Sequence, residues 1–207
     1  MNREIPTKSR SIIPLLLLSL LLWSGQVLAE DSAESQVAAP TLETLFLHLA
    51  RQENTQVGFV ETKSLSVLSQ PIKQEGILEF RPPNTLAKHV AKPVEEHYMI
   101  ENTIVTVSKP GESASLQLKL SDYPALEAFA EGLRAPMSGN LDTLRRYWKP
   151  SLGGSWRHWL LALVPVQPEL ASLIRSVRLE GENDHLIRMT LEETNGDQSI
   201  LDFMRTP

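Results

Sequence analysis

The chain has 207 residues, a formal net charge of −5 and no cysteine. The missing thiol excludes disulfides, zinc-thiolate sites, a cysteine nucleophile and a lipid-modified N-terminal cysteine. An acidic chain without a basic run is a poor nucleic-acid binder, because phosphate contacts need clustered Lys and Arg, and anionic lipid surfaces repel it.

The N-terminus reads as a secretory signal. Arg3, Lys8 and Arg10 form a basic start, and Ile12 to Trp23 is an apolar run too short to span a bilayer comfortably. Val27-Leu28-Ala29 predicts cleavage after Ala29 and export from the cytoplasm. An uncleaved anchor is the alternative, but the polar run Glu30 to Gln36 carries no stop-transfer pattern. Removing residues 1–29 takes away three positive charges and one negative, so the net charge moves from −5 to −7 over 178 residues. That length predicts one domain with a sizeable core, here 40–207, a soluble monomer.

Residues 30–39 read as a disordered leader. Pro40-Thr41 starts a helix, because Leu42, Leu45, Phe46 and Leu49 recur at helical spacing. From Gln56 the period changes to two. Val57, Phe59, Glu61 and Lys63 share a face; Gly76, Leu78 and Phe80 share another, as do Leu86, Lys88 and Val90. Glu79 points away from Leu78 and Phe80 and is expected to be exposed. Strands continue at Glu95 to Ile100, Thr103 to Ser108 and Ser115 to Leu120, with prolines in the loops. Asp122 to Arg134 returns to helical spacing through Leu126, Phe129, Ala130 and Leu133, with Asp122 as the expected cap and Pro124 in the first turn. Leu141 to Tyr147 adds another helical turn. Strands resume at Trp156 to Val164, Ser176 to Glu180, Leu186 to Glu193 and Ser199 to Met204. The expected architecture is mainly β with α (α+β). It is about ten antiparallel strands with an N-terminal helix and a helical insertion near 122–147.

No catalytic constellation emerges. The histidines His48, His89, His97, His158 and His185 lack HxH, HxxH or HExxH spacing, so no metal is predicted and no cofactor is implied. His89 and His97 lie on neighbouring strands and could meet, though solvated histidines are the plainer reading. Gly153-Gly154 reads as a turn without a phosphate-loop lysine. Tyr147, Trp148, Trp156 and Trp159 form an aromatic zone, read first as core and second as the lining of a mouth. A curved sheet buries its concave face only if something fills it. The helices 41–53 and 122–134 are the candidates, and loose cover leaves an apolar cavity for a greasy ligand.

Gly76-x-Leu78-x-Phe80-x-x-Pro83-Asn84, then Pro93, then Ile100-Glu101-Asn102 before another strand, resembles the periplasmic outer-membrane lipoprotein carrier (LolA) family. Phe59-x-x-x-Lys63 after an N-terminal helix is similar too. The resemblance covers most of the mature chain and is most specific over 56–110. It implies an eleven-stranded, strongly curved half-barrel closed by a helical lid, a non-enzyme that carries acyl chains of a lipoprotein or other lipid from the inner to the outer membrane. Its partners would be an acylated cargo, an inner-membrane donor transporter and an outer-membrane acceptor. Phe59, Leu78, Phe80, Leu86, Val90 and Trp159 would line the cavity, under a lid face of Leu126, Phe129 and Leu133. Pro82 stands where the family has its lid-latching arginine, so Arg81 is the latch candidate only if the strand shifts by one residue, and Arg134 is the other arginine open to that role. Leu86 and Lys88 replace strand aromatics of the family. The alternative is a periplasmic lipid-sensing or protein-binding module that regulates a membrane partner. An enzyme on the same sheet is a third reading that no residue pattern supports.

Overall fold

The computed structural model describes residues 39–51, 55–111 and 114–204, within one compact unit, Val37–Pro207. The signal-peptide and most of the leader readings therefore lie outside the described residues.

Helix α1 (Leu42–Leu49) begins at a reciprocal cap: Thr41 Oγ1 accepts from the Thr44 backbone N–H at 3.1 Å, and Thr44 Oγ1 accepts from the Thr41 N–H at 2.9 Å. Its stripe Leu45, Phe46 and Leu49 is buried, as the spacing requires. Six strands follow as a meander: β1 (Thr55–Ser64), β2 (Ile72–Arg81), β3 (Thr85–Lys92), β4 (Glu96–Glu101), β5 (Ile104–Ser108) and β6 (Leu116–Lys119). A short 3-10 turn, Leu120–Asp122, leads into α2 (Pro124–Met137) and α3 (Leu141–Tyr147). The chain then makes β7 (Trp148–Ser155), β8 (His158–Pro165), the single-turn α4 (Pro168–Ala171), β9 (Ile174–Glu182), β10 (His185–Glu193) and β11 (Gln198–Phe203).

All eleven strands form one sheet in the order β6-β5-β4-β3-β2-β1-β11-β10-β9-β8-β7. The ladders are antiparallel, and β1 pairs with β11, for example Phe59 opposite Phe203 and Glu61 opposite Leu201. The first and last strands thus sit at the centre, while β6 and β7 are the two edges. The helical insertion joins those edges in sequence, which is why it spans the concave side. Inward positions of β1, β8 and β9 supply the main core: Phe59, Trp159, Leu161, Leu163, Val177 and Leu179, with the α1 stripe against them.

Four expectations need correction. The sheet has the eleven strands that the resemblance implies, and periodicity alone gives about ten because it misses the strand Trp148–Ser155. Gly153-Gly154 lies inside it, and the reversal is the two-residue turn Trp156-Arg157 between Ser155 and His158. Gly154 has φ +91, and a Cβ there would stand 2.3 Å from the His158 carbonyl oxygen, so only glycine fits. Asp122 does not cap α2. It belongs to the preceding 3-10 turn, and Tyr123 is the cap residue without a side-chain bond. Glu79 is not freely exposed: its side chain retains 17% exposure and lies 3.3 Å from Arg81 Nε on the convex face.

Gly76 is another position where the sheet tolerates no side chain. A Cβ there would approach the His89 carbonyl oxygen to 1.9 Å, at the register irregularity between β2 and β3. Gly76→Ala is expected to destabilise the protein by about 2 kcal/mol, as overpacking against backbone does. Urea unfolding with an unchanged slope and a lower midpoint is the expected readout.

Candidate functional site

A cavity of about 740 Å³ lies between the concave face and α2. Its volume is within the ~300–1,000 Å³ of small-molecule sites. The roof is a stripe on α2. Leu126, Phe129, Leu133 and Met137 line the cavity at helical spacing. The opposite side of the helix is seated by Trp148, whose Nε1 donates to the Ala128 carbonyl at 3.1 Å. The indole edge occupies the place of a side chain at Gly132, where a Cβ would stand 2.1 Å from that nitrogen.

The cavity is polarised along the strands. Beneath α2, register aligns Phe80, Leu86, Ile100 and Val105 across β2 to β5, an all-apolar row. Toward the other end of β1 the walls turn polar. Lys88 on β3 reaches across β2 and donates from Nζ to Glu61 Oε2 on β1, and Ser199 Oγ donates to Glu61 Oε1. Lys63 Nζ stands 3.7 Å from the same Oε2. Glu61 is 3% exposed, so three groups share one buried carboxylate. The Lys88 ammonium lies 5.1 Å from the centre of the Phe59 ring. Burial holds Lys88 below the usual lysine range, against the opposing pull of Glu61. Beside it, Tyr98 OH donates to Glu96 Oε2 at 2.6 Å, and Lys109 Nζ sits 2.9 Å from Glu96 Oε1. Burial and that hydrogen bond push the Tyr98 phenol up to about 12. The bond from Tyr98 and then that from Lys109 hold Glu96 below the usual carboxylate range.

At the apolar end, Arg134 of α2 is 5% exposed. Its Nη1 donates to the carbonyls of Asn84 at 3.0 Å and Asn102 at 2.9 Å, in the β2–β3 and β4–β5 turns, and Nη2 pairs with Glu131. Arg81, the residue singled out by resemblance, is half exposed and pairs with Glu79 of its own strand.

Six of the nine residues expected to line a cavity do so: Leu78, Phe80, Leu86, Leu126, Phe129 and Leu133. Phe59, Val90 and Trp159 lie instead in the core, at 0%, 1% and 0% exposure. Phe59 is covered by Lys88, and Trp159 turns its Nε1 to the Asn183 carbonyl at 2.9 Å. Sequence reading placed Glu61, Lys63 and Lys88 on inward faces yet gave them no role, because charge ordinarily marks a solvated face. Ser199 and Gln74 carried no signal at all. On the convex side His89 and His97 do meet, Nδ1 to Nδ1 at 2.6 Å, with Glu95 3.2 Å from His97 Nε2. No group of three or more metal-ligating side chains occurs among the described residues. No helix among them is long and apolar enough to cross a membrane.

An open antiparallel half-barrel with a helix roofing an apolar cavity defines a LolA-like binding module. The chain belongs to the family described as outer membrane lipoprotein carrier protein LolA-like, whose pattern matches residues 34–201. A comparison with curated proteins gives no match. Among solved structures it is similar to a LolA superfamily protein from Nitrosomonas europaea, with 12% identity, a TM-score of 0.45, and 81% of this chain and 93% of that chain covered. It is also similar to the MucA/MucB complex of Pseudomonas aeruginosa, with 13% identity, a TM-score of 0.41, and 80% and 58% covered. LprF from Mycobacterium bovis aligns at 10% identity and a TM-score of 0.32, with 81% and 94% covered.

Proposed function

We propose that this protein is an exported carrier that shelters the acyl chain of a lipoprotein or other lipid while it crosses the periplasm from inner to outer membrane. The observation that carries the reading is the apolar cavity of about 740 Å³ roofed by the Leu126, Phe129 and Leu133 stripe. Each buried methylene is worth about 0.8 kcal/mol, so a sixteen-carbon chain left in water represents roughly 13 kcal/mol. A cavity that removes most of that area from water turns an insoluble monomer into a diffusible complex. The work is binding and release, and needs no bond-making group. Native mass spectrometry of the mature protein, isolated from its own periplasm without detergent, tests the reading. A discrete acylated adduct is expected. A clean unliganded mass together with a stoichiometric membrane-anchored protein partner would replace the carrier by a protein-binding module.

In this reading α2 is the lid and Arg134 is its latch, in place of Arg81. Hydrogen bonds to a charged group contribute ~1.5–3 kcal/mol each. Both Arg134 bonds end on turn carbonyls of the sheet, so they hold only the closed arrangement. Arg134→Met keeps the apolar stem and removes both. The variant is expected to release a bound fluorescent fatty acid at least about tenfold faster, 1.4 kcal/mol being tenfold. It should also bind more readily, because a lid closed without cargo lowers apparent affinity by the closed fraction. Stopped-flow dissociation reads the first effect; an unchanged rate would remove Arg134 from the latch role.

A further inference from the structure

We propose that the cavity takes an amphiphile in one orientation, with its chain under α2 and an anionic headgroup, carboxylate or phosphate, at the Lys63–Lys88 end. The inference rests on the carrier reading and adds the headgroup class and the polarity of the site.

The argument begins with hydrogen-bonding capacity. Glu61 is spent: it accepts from Lys88 and Ser199 and lies 3.7 Å from Lys63. Glu96 is likewise engaged by Tyr98 and Lys109. Asp197, at the outer lip, accepts from the Ser66 backbone N–H at 2.6 Å and from Asn195 Nδ2 at 3.0 Å. Glu193 lines the same lip and is the acid that would oppose an anion there. An ammonium carries three N–H donors, and Lys88 spends one on Glu61. Its remaining donors belong to a group whose side chain is only 21% exposed, where water is restricted. Lys63, 34% exposed, stands beside it on the cavity wall. The inner cluster of Glu61, Lys63 and Lys88 therefore has two cations on one carboxylate and spare donors facing the cavity.

Gln74 adds a second observation. It lines the same stretch, opposite Glu61 in register, and its Oε1 is buried without a hydrogen-bond partner among the described residues. Buried polar atoms are nearly always paired. Half a turn about its last torsion presents the amide N–H₂ in the same place, so Gln74 serves an anion as a donor or an adjoining hydroxyl as an acceptor. The apolar row Phe80, Leu86, Ile100 and Val105 lies at the other end, where the polar lining groups are Gln56, Asp184 and His185, the last two paired with each other, with no lysine among the described residues there, so the site distinguishes an anionic head from a tail. The protein's overall negative charge does not override this, because exposed charges beyond about 8–10 Å are screened at physiological salt.

The test displaces an environment-sensitive apolar dye from the mature protein with four sixteen-carbon amphiphiles below their aggregation thresholds: palmitate, hexadecyl phosphate, hexadecanol and hexadecylamine. Palmitate and hexadecyl phosphate are expected to bind about tenfold or more tighter than hexadecanol at low salt, with hexadecylamine weakest. Which anion leads distinguishes a carboxylate from a phosphate source. The advantage should shrink in Lys63→Met, whose partly exposed site tolerates the change, and vanish in the Glu61→Gln/Lys88→Met pair. Equal affinities across the four, or the amine binding best, would overturn the headgroup inference while leaving the carrier reading intact. Displacement by none of them would overturn the carrier reading itself.

Discussion

Lys88→Met alone is expected to destabilise the protein by about 3 kcal/mol, and the Glu61→Gln/Lys88→Met pair to recover most of that loss. Removing one partner of a buried ion pair strands the other charge, which costs about 3–5 kcal/mol, whereas replacing both is often neutral. Glu61 is 3% exposed and would keep only Ser199 and the more distant Lys63, so the lower end of that range applies. Urea unfolding of wild type, the two single variants and the pair gives the coupling directly. A pH series supplies an independent check. Burial lowers the folded-state pKa of Lys88 below its ordinary value of 10.5, so the unfolded chain binds more protons between the two values. Wild type should therefore gain stability as pH rises toward 10.5 and lose it as pH falls through the lowered value. The pair should lack that slope. Tyr98, raised to about 12, acts in the opposite sense above pH 10, so the comparison belongs below that point. Full additivity of the single variants would mean that Glu61 and Lys88 do not depend on each other.

Why would a carrier keep such a pair when an apolar wall packs as well? Under the binding reading, the pair holds a charge at a fixed place in a site that is otherwise featureless to a hydrocarbon chain. Glu61, itself held by Ser199, and the Phe59 ring keep Lys88 positioned before any ligand arrives, which lowers the ordering cost of binding.

The parts of the fold written in periodicity were readable from the chain. The α1 stripe Leu42, Leu45, Phe46 and Leu49 and the α2 stripe Leu126, Phe129 and Leu133 are local patterns, and so is the alternation of β1 to β3. Strand β7 was not, for a physical reason. It is an edge strand that pairs only with β8 and carries Pro150 and two glycines. Its composition reads as a loop, yet an edge tolerates a proline that would break a central ladder. The polar end of the cavity was hidden differently. Alternation put Glu61 and Lys88 inward, but they are 27 residues apart and meet only because β2 lies between β1 and β3. Arg134 stood open beside Arg81 as a latch, and sequence could not choose between them: its partners are backbone carbonyls of two turns 50 and 32 residues away, which no side-chain pattern encodes. Trp159 erred in the other direction. An aromatic on an inward strand position reads as core or as cavity wall, and here the indole lies against Gly181 of β9 and is completely buried.

Phe129→Asp is expected to abolish ligand retention, with an affinity loss of at least about a hundredfold, while the chain still folds. Phe129 lies on the α2 face that meets the cavity, only partly buried and packed at the margin of the core. A carboxylate there faces open cavity when no ligand is bound, so it remains hydrated and the fold loses mainly the packing of one ring. With an acyl chain beneath a closed lid the same carboxylate is pressed against hydrocarbon. It must then be desolvated without a partner, a penalty of several kcal/mol. A hundredfold loss corresponds to about 2.7 kcal/mol, well inside that penalty. The variant can respond by leaving the lid open, which gives up the roof and exposes the chain to water; either route ends retention. Phe129→Leu separates charge from shape, since it keeps an apolar lid and should retain most of the affinity. Dye displacement and circular dichroism on both variants make the comparison. Wild-type retention by Phe129→Asp, in a folded protein, would mean that α2 does not cover the bound chain.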